Sequence, residues 1–159
     1  MMRAAKVVTA IASLVLMGSV MAPAIAAPQS DSYFMKRTDR QVVDLGGSGT
    51  SVGDMVFASG TVSKKRGGTA VGTYNFRGIT VAVPIPGGRE NRDALTQFNF
   101  KSGTVLMERI NSVPAGTLPD STEIYPIIGG TGVYAGVNGT VVFSVLNEAE
   151  YKVVFRFTR

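Results

Sequence analysis

From residue 33 to the end of the chain, glycine and proline interrupt the sequence at short intervals, and between the interruptions apolar and polar residues alternate with period two. The clearest case is the last segment. Tyr151, Val153, Phe155 and Phe157 fall on one face, and Lys152, Val154, Arg156 and Thr158 on the other. That is the pattern of a pleated strand with one face against a core and one largely in water. Helical periodicity is missing from residue 27 onward, and nineteen glycines among many Val, Thr, Phe and Tyr describe an all-β chain.

The interruptions divide the chain into eight expected strands: residues 33–44, 55–63, 69–83, 95–101, 104–110, 123–128, 137–145 and 150–158. Gly67-Gly68 and Ser102-Gly103 are short connections that suit tight hairpins, whereas Pro84, Pro86, Pro114 and Pro119 mark loops. Eight mostly antiparallel strands can close a sheet on itself and remove its edges. The interior is then either filled by side chains or holds one small ligand.

Ahead of the strands, Arg3 and Lys6 precede an uncharged apolar run from Val7 to Met21 and the small residues Ala24-Ile25-Ala26. This is the layout of a cleavable signal peptide of bacterial type, cut after Ala26. The run is shorter than the roughly 20 apolar residues of a spanning helix, and Pro23 interrupts its end. The expectation is a secreted or periplasmic protein without stable membrane insertion after cleavage, with residues 1–26 as signal, 27–32 as a flexible lead-in and 33–159 as the barrel domain. Removing residues 1–26 leaves 133 of the 159 residues, room for one domain.

Composition narrows the chemistry. The chain contains no cysteine and no histidine, which removes thiol nucleophiles, disulfides, the commonest general base and the commonest transition-metal ligands. Acid–base work falls to Asp, Glu, Tyr, Lys or Arg. The formal charge of +5 drops to +3 when Arg3 and Lys6 leave, a mild excess that does not suggest a nucleic-acid partner. The single basic cluster, Lys64-Lys65-Arg66, precedes Gly67-Gly68 and reads as a solvated hairpin tip.

Three stretches in order resemble the allene oxide cyclase and dirigent-protein barrel family. They are Gly53-Asp54-Met55-Val56-Phe57 after Asp44-Leu45; Val71-Gly72-Thr73; and Ile127-Ile128-Gly129-Gly130-Thr131-Gly132-Val133-Tyr134-Ala135-Gly136 with Gly139. Gly-Gly-Thr-Gly alone could cradle phosphate, but that needs a following helix, and Val133 to Val145 reads as strand. The resemblance implies an eight-stranded barrel, often trimeric, whose cavity confines a hydrophobic substrate and steers its cyclisation or coupling without metal or organic cofactor.

Carried over residue by residue, the resemblance places Asp54 at the barrel rim as a candidate proton-handling catalytic group. The alternative is that its carboxylate accepts turn N–H groups and pins the Gly53 loop. Alternation puts Val56 and Ala58 on the Asp54 side, which the comparison makes the lumen, and Tyr74 and Phe76 on the interior face of the third strand. Tyr74 is then either a donor to a substrate carbonyl or a core aromatic. Asn99 and Glu108 join the substrate-binding candidates only if they face inward, exposure being the default. The chain departs from the family in three places. No acid lies in Tyr33-Phe34-Met35, Gly78 stands in place of a cysteine, and Asn138 in place of an arginine. The implied function is an exported barrel that binds a hydrophobic, oxygenated small molecule and steers its cyclisation or isomerisation. A lipocalin-like carrier and a packed barrel acting through its surface remain open alternatives.

Overall fold

The structure is a computed structural model, which describes residues 30–83, 88–115 and 122–158. The expected signal peptide at 1–26 and most of the lead-in lie outside the described residues. The strands are β1 (Ser30–Val43), β2 (Met55–Ser63), β3 (Ala70–Ala82), β4 (Arg89–Phe100), β5 (Gly103–Pro114), β6 (Glu123–Gly130), β7 (Asn138–Val145) and β8 (Glu150–Thr158). Each pairs antiparallel with its neighbour in sequence, and β8 returns to β1 with Tyr33 opposite Val153, so the eight-stranded barrel is closed. Among the described residues no helix is long and apolar enough to cross a membrane.

Most strands fall where the alternation puts them, and the differences have physical causes. β1 begins at Ser30, because Ser30 to Ser32 pair with Arg156 to Val154 of β8 and are tied down by that ladder. β4 begins at Arg89, six residues before the expected Leu95, since its first half alternates with charged residues turned inward. β5 runs to Pro114. The strand expected from Val133 is replaced by a single 3-10 turn, Gly132–Tyr134, with β7 starting at Asn138. Gly132 has φ +61°, and a Cβ there would strike the Ser102 carbonyl, so the turn packs directly on the β4–β5 hairpin. A turn this short supplies no helix N-terminus for a phosphate.

The closed tube is filled at one end only. Phe98, fully buried, meets Phe155 edge-to-face at 4.9 Å and lies between Phe100 and Phe143. Tyr33 packs on Phe100 at 4.9 Å, and Tyr134 stacks on Phe157 at 5.5 Å. With Val62, Val105, Val141 and Val153 these rings form the core, at the end that carries the β2–β3, β4–β5 and β6–β7 connections. Lys64-Lys65-Arg66 sits outside that end, where Lys64 pairs with Asp31 and Arg66 with Glu150 at 2.6 Å.

The ladder between β1 and β2 is regular except at one point, where its register slips between Arg37 and Asp39. A bulge adds one residue to the strand and resets the side-chain parity, so Arg37 before it and Arg40 after it both face inward.

Candidate functional site

The half of the tube not filled by aromatic rings is a cavity. Its volume is about 80 Å³, and it opens to solvent at its mouth. The lining runs from the middle of the barrel, at Met35, Tyr74, Phe76, Thr96 and Met107, toward the C-terminal ends of β1, β5 and β7 and the N-terminal ends of β2, β4, β6 and β8, so the mouth lies at the end carrying the β1–β2, β3–β4, β5–β6 and β7–β8 connections.

Its walls are apolar and aromatic: Met35, Val56, Ala58, Phe76, Ala94 and Met107, with Phe143 toward β7. Val56, Ala58, Tyr74 and Phe76 are where period-two alternation puts them. Close approach on this wall depends on Gly60, which lies opposite both Arg37 and Tyr74 in the ladders. A Cβ at Gly60 would collide with the Lys36 carbonyl and come within 2.8 Å of the Tyr74 ring, so glycine is what lets the tyrosine lie flat across β2.

The polar groups form two sets. In the first, Arg92 and Asn111 stand opposite each other across β4 and β5, and Asn111 donates its amide to the Tyr125 hydroxyl at 2.9 Å. Arg92 is ion-paired with Glu90, and both are almost fully buried. Glu90 Oε2, Arg92 Nε and Asn111 Oδ1 have no hydrogen-bond partner among the described residues, so this set keeps donor and acceptor capacity at the β4–β5 wall of the cavity. The second set comprises Arg37, Arg40, Tyr74 and Tyr151 on the β1–β2–β3 and β8 side.

The phenols are held protonated. Burial pushes Tyr74 well above the ordinary tyrosine range, Tyr151 adds to the effect, and Arg37 opposes it. Burial likewise raises Tyr125, with Glu123 adding and Arg109 and Arg92 opposing, and it raises Tyr151 against the pull of Arg37 and Arg40. All three present neutral O–H groups. No group of three or more acidic, histidine or cysteine side chains among the described residues could hold a metal.

Three sequence candidates lie elsewhere. Of the two readings of Asp54 at the rim, a proton-handling group and an acceptor that pins the Gly53 loop, the geometry matches the second, since its carboxylate is turned into the β1–β2 loop. Ser51 N–H donates to it at 2.7 Å, the Ser51 hydroxyl at 2.8 Å and Leu45 N–H at 3.0 Å. The same corner is clipped to β3 by Gly53 N–H to Thr80 O at 2.8 Å and Thr80 N–H to Asp54 O at 2.9 Å. Asp54 therefore shapes the rim. Asn99 faces outward, accepting from Gln97 at 2.6 Å, because the inward positions of β4 are the even-numbered ones. Glu108 is also outside, 3.9 Å from Arg77, next to the buried Met107.

Donation from Ser51 and Leu45 N–H and from the Ser51 hydroxyl holds Asp54 below the usual carboxylate range. A carboxylate with a lowered folded-state value stabilises the fold above its unfolded value near 4, and that stability is lost as pH falls through the folded value. Asp54→Asn is therefore expected to lower Tm by roughly 3–8 °C at pH 7, with the gap to wild type closing in acid, while ligand capture persists. Calorimetry from pH 7 to pH 3 checks this.

No family model matches the sequence, and no curated protein matches it. Solved structures do match in fold. A pyocyanin demethylase is 23% identical with a TM-score of 0.68, covering 81% of this chain and 99% of its own. The Diels Alderase AbmU from Streptomyces koyangensis is 12% identical with a TM-score of 0.59, over 81% of this chain and 68% of its own. A pterocarpan synthase dirigent protein is 13% identical with a TM-score of 0.58, over 82% and 95%. The chain has the barrel fold of the cyclase and dirigent structures.

Proposed function

We propose that this protein holds a hydrophobic, oxygen-bearing small molecule in its lumen and steers the cyclisation or isomerisation of that molecule. The observation that carries this reading is the division of the tube, one half packed with rings and the other open, with apolar walls and convergent neutral donors. Rigid walls at Val56, Ala58 and Phe76 restrict a flexible chain to few conformers, which lowers the entropy cost of ring closure. Protonated Tyr74 and Tyr125 can donate to a substrate oxygen as negative charge develops on it, in a site largely shielded from water. Rearrangement within one molecule conserves its atoms and asks of the protein only confinement and proton handling, which the tyrosines and the Glu90–Arg92 set supply. The fold shared with structures named for Diels–Alder and pterocarpan synthase chemistry supports the same reading.

We place this activity outside the cytoplasm, after cleavage of residues 1–26. N-terminal sequencing of the exported protein should begin at Ala27.

The test is capture followed by turnover. Purified protein incubated with an extract of its source culture should retain a small molecule detectable by mass spectrometry. With excess of that molecule it should release an isomer of identical mass. Ala58→Phe puts a ring into the open half and should abolish capture with Tm changed by only a few degrees, since the added bulk enters free space. Return of the ligand unchanged would establish the carrier instead.

A further inference from the structure

The charges on the cavity wall do not balance. Three arginines, Arg37, Arg40 and Arg92, line it, and no carboxylate does. The buried acids near it are already matched, Glu90 by Arg92 and Glu123 by Arg109 at 3.4 Å. Neither Arg37 nor Arg40 has an ion-pair partner among the described residues. Their neighbours on the same side of the cavity are phenols that burial keeps neutral, Tyr74 and Tyr151. The bulge in β1 puts both on the inner surface, whereas an unbroken strand would send one of the two outward.

Arg37 is half-buried beside apolar walls and so incompletely hydrated, Arg40 is exposed, and the planar donors of a guanidinium match a carboxylate, a phenolate or a sulfonate. On this basis, and resting on the reading that the lumen binds a small molecule, we propose that the ligand is an anion. Its negative group sits between Arg37 and Arg40, and its apolar body reaches in toward Phe76 and Met107. The orientation follows. The anionic end stays on the β1 side, and the reacting part lies over Arg92, Asn111 and Tyr125.

The proposal is tested with two fluorescent probes of one scaffold, anilinonaphthalene sulfonate and uncharged anilinonaphthalene, titrated against wild type, Arg37→Gln, Arg40→Gln, Ala58→Phe and the outer-surface control Arg66→Gln. The sulfonate should bind about tenfold or more tightly than the neutral probe at low salt. Each lumenal arginine substitution should weaken the sulfonate about five- to tenfold, leaving the neutral probe within about twofold. Arg66→Gln should change neither, and Ala58→Phe should abolish both. Equal affinity for the two probes, or equal weakening of both by Arg37→Gln and Arg40→Gln, would overturn the anion proposal while leaving the cavity reading in place. Failure of both probes to bind wild type, or binding that survives Ala58→Phe, would overturn the two together.

Discussion

Arg92→Ala is expected to cost about 3–5 kcal/mol of folding stability, among the largest losses available from one substitution in this chain. Arg92 and Glu90 are 6% and 2% exposed. One carboxylate oxygen of Glu90 is bonded to Arg92 and the other has no partner among the described residues. Removing the guanidinium leaves a buried carboxylate without its ion-pair partner, the situation in which desolvation costs most. Urea unfolding should show a lower midpoint with unchanged slope. The double replacement Glu90→Met with Arg92→Leu removes both charges and should return to within about 1 kcal/mol of wild type, because a buried pair adds little net stability over well-packed apolar side chains. It should still fail to capture the ligand. Recovery of stability without recovery of binding would locate the value of the pair in holding Arg92 on the cavity wall. A stable single variant would mean that water reaches Glu90 freely.

Phe98→Ala is expected to cost a similar amount, about 3–5 kcal/mol, for a different reason. The ring is 0% exposed and touches Phe100, Phe143 and Phe155, whose positions are set by three different strands. The surrounding barrel cannot collapse onto the vacated volume without breaking ladder hydrogen bonds, so the cavity stays and the contacts are lost. Phe76→Ala is the informative contrast. Phe76 is only partly buried and already borders open space, so its removal should cost about 1–2 kcal/mol. Equal losses at the two positions, measured by chemical denaturation, would contradict the division into a packed and an open half.

The residues of the site differ in how visible they are from the chain alone. Alternation grouped Val56 with Ala58 and Tyr74 with Phe76, and family likeness chose which face is the lumen. Arg37 and Arg40 could not be grouped this way, since they are three apart and a regular strand would send them to opposite faces. Arg92 lies in Arg89-Glu90-Asn91-Arg92-Asp93, which reads as a polar loop until the strand opposite shows Asn111 and Val113 buried beside it. The available signal was alternation of charge at period two, with Glu90 and Arg92 on one side and Asn91 and Asp93 on the other. Family likeness placed Asp54 at the rim as a proton-handling group, yet the loop residues Ser51 and Leu45 donate to its carboxylate. Asn99 and Glu108 share parity with the outer faces of β4 and β5, which the buried Phe98 and Met107 between them reveal.

Local pattern was sufficient for most of the strands and for which residues share a face, because pleat parity and turn chemistry depend on neighbours a few residues apart, whereas closure rests on the long-range pairing of β1 with β8. Height along the barrel axis is a non-local property. It follows from stagger between strands, from the slip at Arg37 and from how eight sets of inward side chains fill a common width, so it took the assembled barrel to put Phe98 in a plug, Arg37 beside Tyr74 and an open space between Ala58 and Met107.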